Sequence, residues 1–186
     1  KGRYLRFRDE ASSTKSLGFR IDAVQLSEEC DASEIPTINE LRLCATRDQV
    51  RDTCAKYLQH RRSLLLSFLE QMRELRATLE TCDVFKTHSF IRSSLLFVYD
   101  GSTDRTLIRM IDLARVQPAP PLEGAAGSVG GNGGGYPGGE LEATPPPRPL
   151  SHRAEWRAGN GEDGYLTGLD NMIDIFEGLL SDASVQ

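Results

Sequence analysis

The sequence predicts an α+β fold in which helices pack on a β-hairpin, with a disordered insertion ahead of the final helix. Three observations predict it. Residues 61–81 and 164–180 carry apolar side chains at helical spacing. Residues 92–113 read as two apolar strands joined by turn chemistry. Residues 117–150 hold eight of the nine prolines and nine of the 17 glycines, a composition that cannot bury enough apolar surface to offset its ordering entropy.

The elements follow in chain order. Residues 1–10 interleave basic and aromatic groups: Lys1, Arg3, Tyr4, Arg6, Phe7 and Arg8. LGFRIDAVQ at 17–25 alternates as a short strand does. Thr46, followed by Asp48 and Gln49, predicts a capped helix running to about His60. A second helix over 61–81 places Leu65, Leu69, Met72, Leu75 and Leu79 on one face and Arg73, Glu74, Arg76 and Glu80 on the other. RSSLLFVYD at 92–100 is a strand, Asp100-Gly101-Ser102-Thr103 a turn, and 105–113 the return strand. After the Gly/Pro-rich stretch, order returns at about 151. There HRAEWRAGNGEDGYL holds the single Trp, and Leu166, Leu169, Ile173, Phe176 and Leu180 form the face of a last helix.

Composition narrows the function. The chain has 186 residues, 39% of them hydrophobic and 26% charged, which suits one domain with a real core. A net charge of −5 gives a nucleic-acid partner no global electrostatic support. The four cysteines form no C-x-x-C pair and fit neither a zinc site nor a disulfide framework, so they read as reduced thiols of a cytoplasmic protein. No apolar run reaches the roughly 18 residues of a membrane span. No signal peptide opens the chain, which does not begin with Met, and KGRYLRFRDE reads as the interior of a longer protein.

Asp112 heads the site candidates. It closes the hydrophobic return strand between Arg109 and Arg115. A carboxylate there either caps a turn or holds a metal ion at a hairpin exit, as the Asp-Phe-Gly carboxylate of protein kinases does. The basic N-terminal cluster either binds a polyanion through Arg forks or forms a solvated helix face. His60, His88 and His152 are scattered without ligand spacing and are not read as ligands. The glycine-rich stretch is no phosphate loop, since no Gly-Lys-Ser/Thr follows it.

Five stretches together resemble the inositol polyphosphate kinases, and most of all their inositol 1,4,5-trisphosphate 3-kinase branch. They are RYLRFRDEASSTKSLGFRI at 3–21, LRATLETCDVFKTH at 75–88, SSLLFVYD at 93–100, MIDLARV at 110–116 and GNGEDGYLTGLDNMIDI at 159–175, in the family's order. The resemblance implies the C-terminal lobe of a protein-kinase-like fold. Residues 1–25 would end the inositol-binding insertion, 26–117 and 151–186 would form the lobe, and 118–150 would be the disordered loop between them.

It also implies the chemistry: transfer of the γ-phosphoryl group of ATP to the 3-hydroxyl of inositol 1,4,5-trisphosphate, with magnesium, giving the 1,3,4,5-tetrakisphosphate. Asp112 falls where the family's Ile-Asp-Phe-Gly places its ligand for magnesium and the ATP phosphates. Ser94 falls in the Ser-Ser pair that begins the hairpin beside that ligand, as a nucleotide-binding residue. Arg115 stands where the branch has a Lys facing the substrate, and Lys1, Arg3, Tyr4 and Arg8 lie in the stretch lining the substrate's phosphates. Calmodulin would bind a segment upstream of these residues.

The sequence also departs from the pattern. Leu113 and Ala114 replace the usual Phe and Gly, and Ala there is shared by the multikinase and hexakisphosphate kinase branches. Gln25 and Gly161 stand where a Lys and an Arg are usual. The family's Pro-x-x-x-Asp-x-Lys-x-Gly motif and its adenine-holding lobe are absent, so the 186 residues alone are expected to be inactive. Alternative readings are a multikinase-like activity and a non-catalytic interaction module or inactive relative.

Overall fold

The computed structural model describes residues 10–27, 33, 35–120, 147–157 and 159–182. Two antiparallel helices form the centre. The long helix Arg62–Thr81 packs along the last helix Tyr165–Ser181, and the helix Arg47–Tyr57 packs on the same last helix. Periodicity made this arrangement legible. Leu65, Leu69, Met72 and Leu79 are buried as expected, and Leu64 and Phe68 widen the stripe. From the last helix, Leu166, Leu169, Ile173, Phe176 and Leu179 close the same core. At the outer edge Arg73 reaches Glu177 at 2.6 Å, and Asp170 accepts from Arg76 and Arg153.

Thr46 caps its helix as expected. Its hydroxyl accepts from the Gln49 amide while the Gln49 side chain accepts from the Thr46 amide at 3.0 Å, a reciprocal capping box. The helix ends at Tyr57 rather than His60, because Gln59 and His60 take left-handed φ values of 51° and 55° and break the ladder.

The hairpin pairs β2 (Ser94–Tyr99) with β3 (Thr106–Ile111), in register from Ser94 opposite Ile111 to Tyr99 opposite Thr106. Phe97 and Ile108 turn inward, Phe97 meeting Phe68 edge-on at 5.4 Å. The opposite face leaves Leu96, Val98, Leu107 and Ile111 exposed. A second two-stranded pairing joins β1 (His88–Ser89) to β4 (Gln117–Pro118).

Two expectations are corrected. Residues 17–25 form no strand. Phe19 and Ile21 do pack toward the core, but no strand among the described residues lies beside them, and alternation without a partner makes an extended coil. Instead, Gly18 (φ 77°) caps the helix Thr14–Leu17 and lies against Gly168 of the last helix, where a Cβ on Gly168 would sit 3.0 Å from the Gly18 carbonyl. The Gly/Pro-rich stretch is also packed at both margins. Gln117 and Pro118 pair in β4, Ala119 donates to the Thr87 carbonyl, and buried Leu150 donates to that of Lys86. The rest of the expected 118–150 disordered loop, residues 121–146, lies outside the described residues.

Candidate active site

The hairpin is a rigid mount. From the helix Arg47–Tyr57, the Tyr57 hydroxyl donates to the Phe97 carbonyl at 2.8 Å, and the Tyr99 hydroxyl donates back to the Tyr57 carbonyl at 3.0 Å. Burial raises the Tyr57 phenol above its usual range, with Tyr99 adding to the shift, so the donor stays protonated. From the long helix, the Gln71 side chain accepts from the Ile108 amide at 3.0 Å and donates to Thr106.

Two carboxylates mark the hairpin's ends, and they differ. Asp100, at the turn, is saturated. It accepts from the Ser102 amide at 2.8 Å and the Ser102 hydroxyl at 2.7 Å. Those hydrogen bonds, the Ser102 hydroxyl's first, hold its pKa down to about 2. Asp112, at the exit of β3, is the opposite case. It is exposed, it makes no side-chain cap to the 3-10 turn Leu113–Arg115, and among the described residues its carboxylate has no hydrogen-bond or ion-pair partner. The turn-capping role therefore falls to Asp100, not Asp112. The backbone at Asp112 is left-handed, φ 61° and ψ 42°. Such a conformation costs an L-residue on the order of 1–2 kcal/mol and concentrates at functional sites.

Ser94 begins β2 opposite Ile111, one residue from Asp112 along the ladder. Arg115 ends the 3-10 turn and is exposed. Arg109 is exposed and donates to the carbonyl of its own neighbour Ile108, so neither flanking Arg pairs with Asp112. Lys1, Arg3, Tyr4 and Arg8 lie outside the described residues. Among those described, no three His, Cys, Asp or Glu side chains gather as a metal site. The donor set at Asp112 is thus one hard, unpartnered oxygen ligand. That suits magnesium, which keeps several waters and takes one or two carboxylates together with substrate phosphates.

Sequence reasoning missed a second cluster. His152 and Asp163 are buried against each other, Nδ1 lying 2.9 Å from Oδ1. Glu162 beside them accepts from the Ser151 and His152 amides. The GNGEDGY stretch carries part of the resemblance, yet nothing in the spacing of its residues marks the His152–Asp163 contact.

Residues 1–177 match the family described as "Inositol polyphosphate kinase". The chain is 32% identical over 184 residues to human inositol-trisphosphate 3-kinase B, covering 98% of this chain and 16% of that protein. It is 32% identical over 179 residues to rat inositol-trisphosphate 3-kinase A, covering 96% of this chain and 32% of the relative. Rat inositol hexakisphosphate kinase 1 is 29% identical over 190 residues, covering 90% and 41%. The chain thus spans well under half the length of the curated relatives it matches.

Proposed function

The chain belongs to the inositol polyphosphate kinase family, and we propose that it serves ATP-dependent phosphorylation of inositol 1,4,5-trisphosphate at the 3-hydroxyl. The reaction breaks the bond between the γ-phosphorus of ATP and its bridging oxygen, and forms a bond to the inositol 3-oxygen, whose proton leaves. Such transfer rests on positioning and charge neutralisation. Bound magnesium supplies the neutralisation at the phosphate oxygens. Asp112 would hold it, and the pinned hairpin would keep that carboxylate in place. Ser94, one residue away on the ladder, would face the nucleotide phosphates. Arg115, with Lys1, Arg3, Tyr4 and Arg8, would orient the anionic substrate, Arg forks matching phosphate oxygens.

One observation carries the reading. In the stretch that matches the family, the carboxylate at the hairpin exit is exposed, without a partner among the described residues, and held in left-handed backbone. A cytoplasmic location and calmodulin binding through an upstream segment complete the proposal. The first rests on thiol usage, the second on the resemblance. The test is product analysis. Full-length protein with ATP and magnesium is offered inositol 1,4,5-trisphosphate, the 1,3,4,5-tetrakisphosphate and the hexakisphosphate separately. Selective conversion of the trisphosphate at the 3-position supports the proposal. Conversion of the other two identifies a multikinase- or hexakisphosphate-kinase-like enzyme, and turnover of none refutes a kinase role.

A further inference from the structure

We propose that the buried His152–Asp163 pair is the positioning element that sets the Asp112 turn. This inference rests on the role given to Asp112 above. The chain around residues 112–116 is clasped on both sides by one segment, 88–94. Before the turn, Ile111 pairs with Ser94. After it, Gln117 and Pro118 pair with Ser89 and His88. The middle of that clasp is fixed by a side chain: the Phe90 amide donates to Asp163 Oδ2 at 2.8 Å.

Asp163 is in turn held by two further partners. Its Oδ1 accepts from the Tyr165 amide at 3.0 Å, at the start of the last helix. His152 Nδ1 lies 2.9 and 3.0 Å from its two oxygens. On the ring's other side, Nε2 lies 2.6 Å from the Phe85 carbonyl. The imidazole bridges the Phe85 carbonyl to the Asp163 carboxylate, with both ring nitrogens within hydrogen-bond reach of a partner. The ring stacks on Phe85 at 3.8 Å. His152 itself takes a left-handed φ of 54° while buried, its amide on Glu162 and its carbonyl receiving the Leu166 amide. The pair thus ties the last helix, the 150–152 segment and the Phe85 turn to the one clasp that flanks Asp112. A generic core contact would bury apolar surface. This one is built of directed bonds that converge on Asp163, which in turn holds the Phe90 amide.

The test is amide exchange with mass spectrometry on the full-length protein, together with the magnesium dependence of turnover. Asp163→Asn keeps the shape but sets an NH2 against either the Phe90 or the Tyr165 amide. Beyond the immediate neighbours of Asp163 at 152 and 163–166, the expected result is faster exchange at 88–94 and 109–117 alone, by about ten- to hundredfold as loss of one charge-assisted hydrogen bond implies. The magnesium concentration for half-maximal rate should rise severalfold. Leu64→Ala, a core truncation remote from the clasp, should lower the melting point without either signature. In wild-type protein the Phe90 amide should be protected as strongly as that of Ile108, a measurement that holds even where a variant does not fold. An exposed Phe90 amide, or exchange in Asp163→Asn that rises uniformly as in Leu64→Ala, overturns the proposal. Absence of turnover in the wild type would sink the kinase reading, while the exchange pattern would still decide the positioning role.

Discussion

Asp112→Asn separates a metal ligand from a structural carboxylate. The substitution keeps shape and hydrogen-bonding reach and removes the charge. No described partner loses a bond, since the carboxylate is exposed and unpartnered. Asn also tolerates left-handed backbone as well as Asp does. Stability should therefore change by no more than about 0.5 kcal/mol, the range of surface substitutions. Turnover should respond very differently. Losing several kcal/mol of charge stabilisation at the phosphates, at about 1.4 kcal/mol per tenfold, lowers the rate by about 10²–10³-fold. The assay is initial-rate turnover of inositol trisphosphate by full-length protein at saturating ATP, with a thermal melt of the same preparation. A melting point that drops while activity per folded molecule survives would refute the reasoning, because it would make Asp112 a turn residue.

Arg8→Ala should raise KM for inositol trisphosphate by about ten- to hundredfold, the value of one charge-assisted hydrogen bond, and leave KM for ATP nearly unchanged; equal effects on both would point to a solvated helix face. Gly168→Ala forces a Cβ to within 3.0 Å of the Gly18 carbonyl. That overpacking should lower the melting midpoint seen by circular dichroism by roughly 2–8 °C, and an unchanged midpoint would show that the contact yields freely. Burial pushes the Cys54 thiol up to about 12, so at pH 8 the thiolate is only about 10⁻⁴ of the population. Native alkylation followed by mass spectrometry should leave Cys54 unmodified long after unfolded protein has reacted, and rapid labelling would contradict its burial. Deleting 122–146 should shift the melting midpoint by less than about 2 °C, since a Gly/Pro-rich stretch adds little to a core, and a large loss would show that it packs.

Legibility in the sequence followed the range of the interaction. Helix faces repeat within a few residues, so Leu65, Leu69, Met72 and Leu79 marked a buried stripe directly. The Thr46–Gln49 box and the Asp100-Gly101 turn are equally local, and both stand in the structure. What failed was long-range. The stretch 17–25 alternates, but a strand needs a partner and no local pattern says whether one exists. The contact between Gly18 and Gly168 spans nearly the whole chain. His152 lacks ligand spacing in the sequence. Its partners are Asp163, eleven residues on, and the Phe85 carbonyl, 67 residues back, and only tertiary folding brings those together. For Asp112 the place at the hairpin exit was legible and its conformation was not. Neither the left-handed backbone nor the missing partner has a local signature, and both bear on its chemistry.

The residues after Asp112 bear on whether the site can work at all. Leu113 and Ala114 stand where the resemblance expects Phe and Gly, which favours an inactive relative if that glycine supplies needed backbone freedom. In this turn the left-handed φ falls on Asp112 itself, and neither Leu113 nor Ala114 takes a positive φ. Ala114 therefore sits in 3-10 geometry open to any L-residue, and its methyl group costs the turn nothing. Leu113 is 48% exposed, so exchanging one large apolar side chain for another removes little packing among the described residues. The strain that shapes this turn is carried by the carboxylate residue, and the two departures lie where the backbone tolerates them. The altered triplet thus gives no steric ground for inactivity, and the proposed function rests on the charge of Asp112.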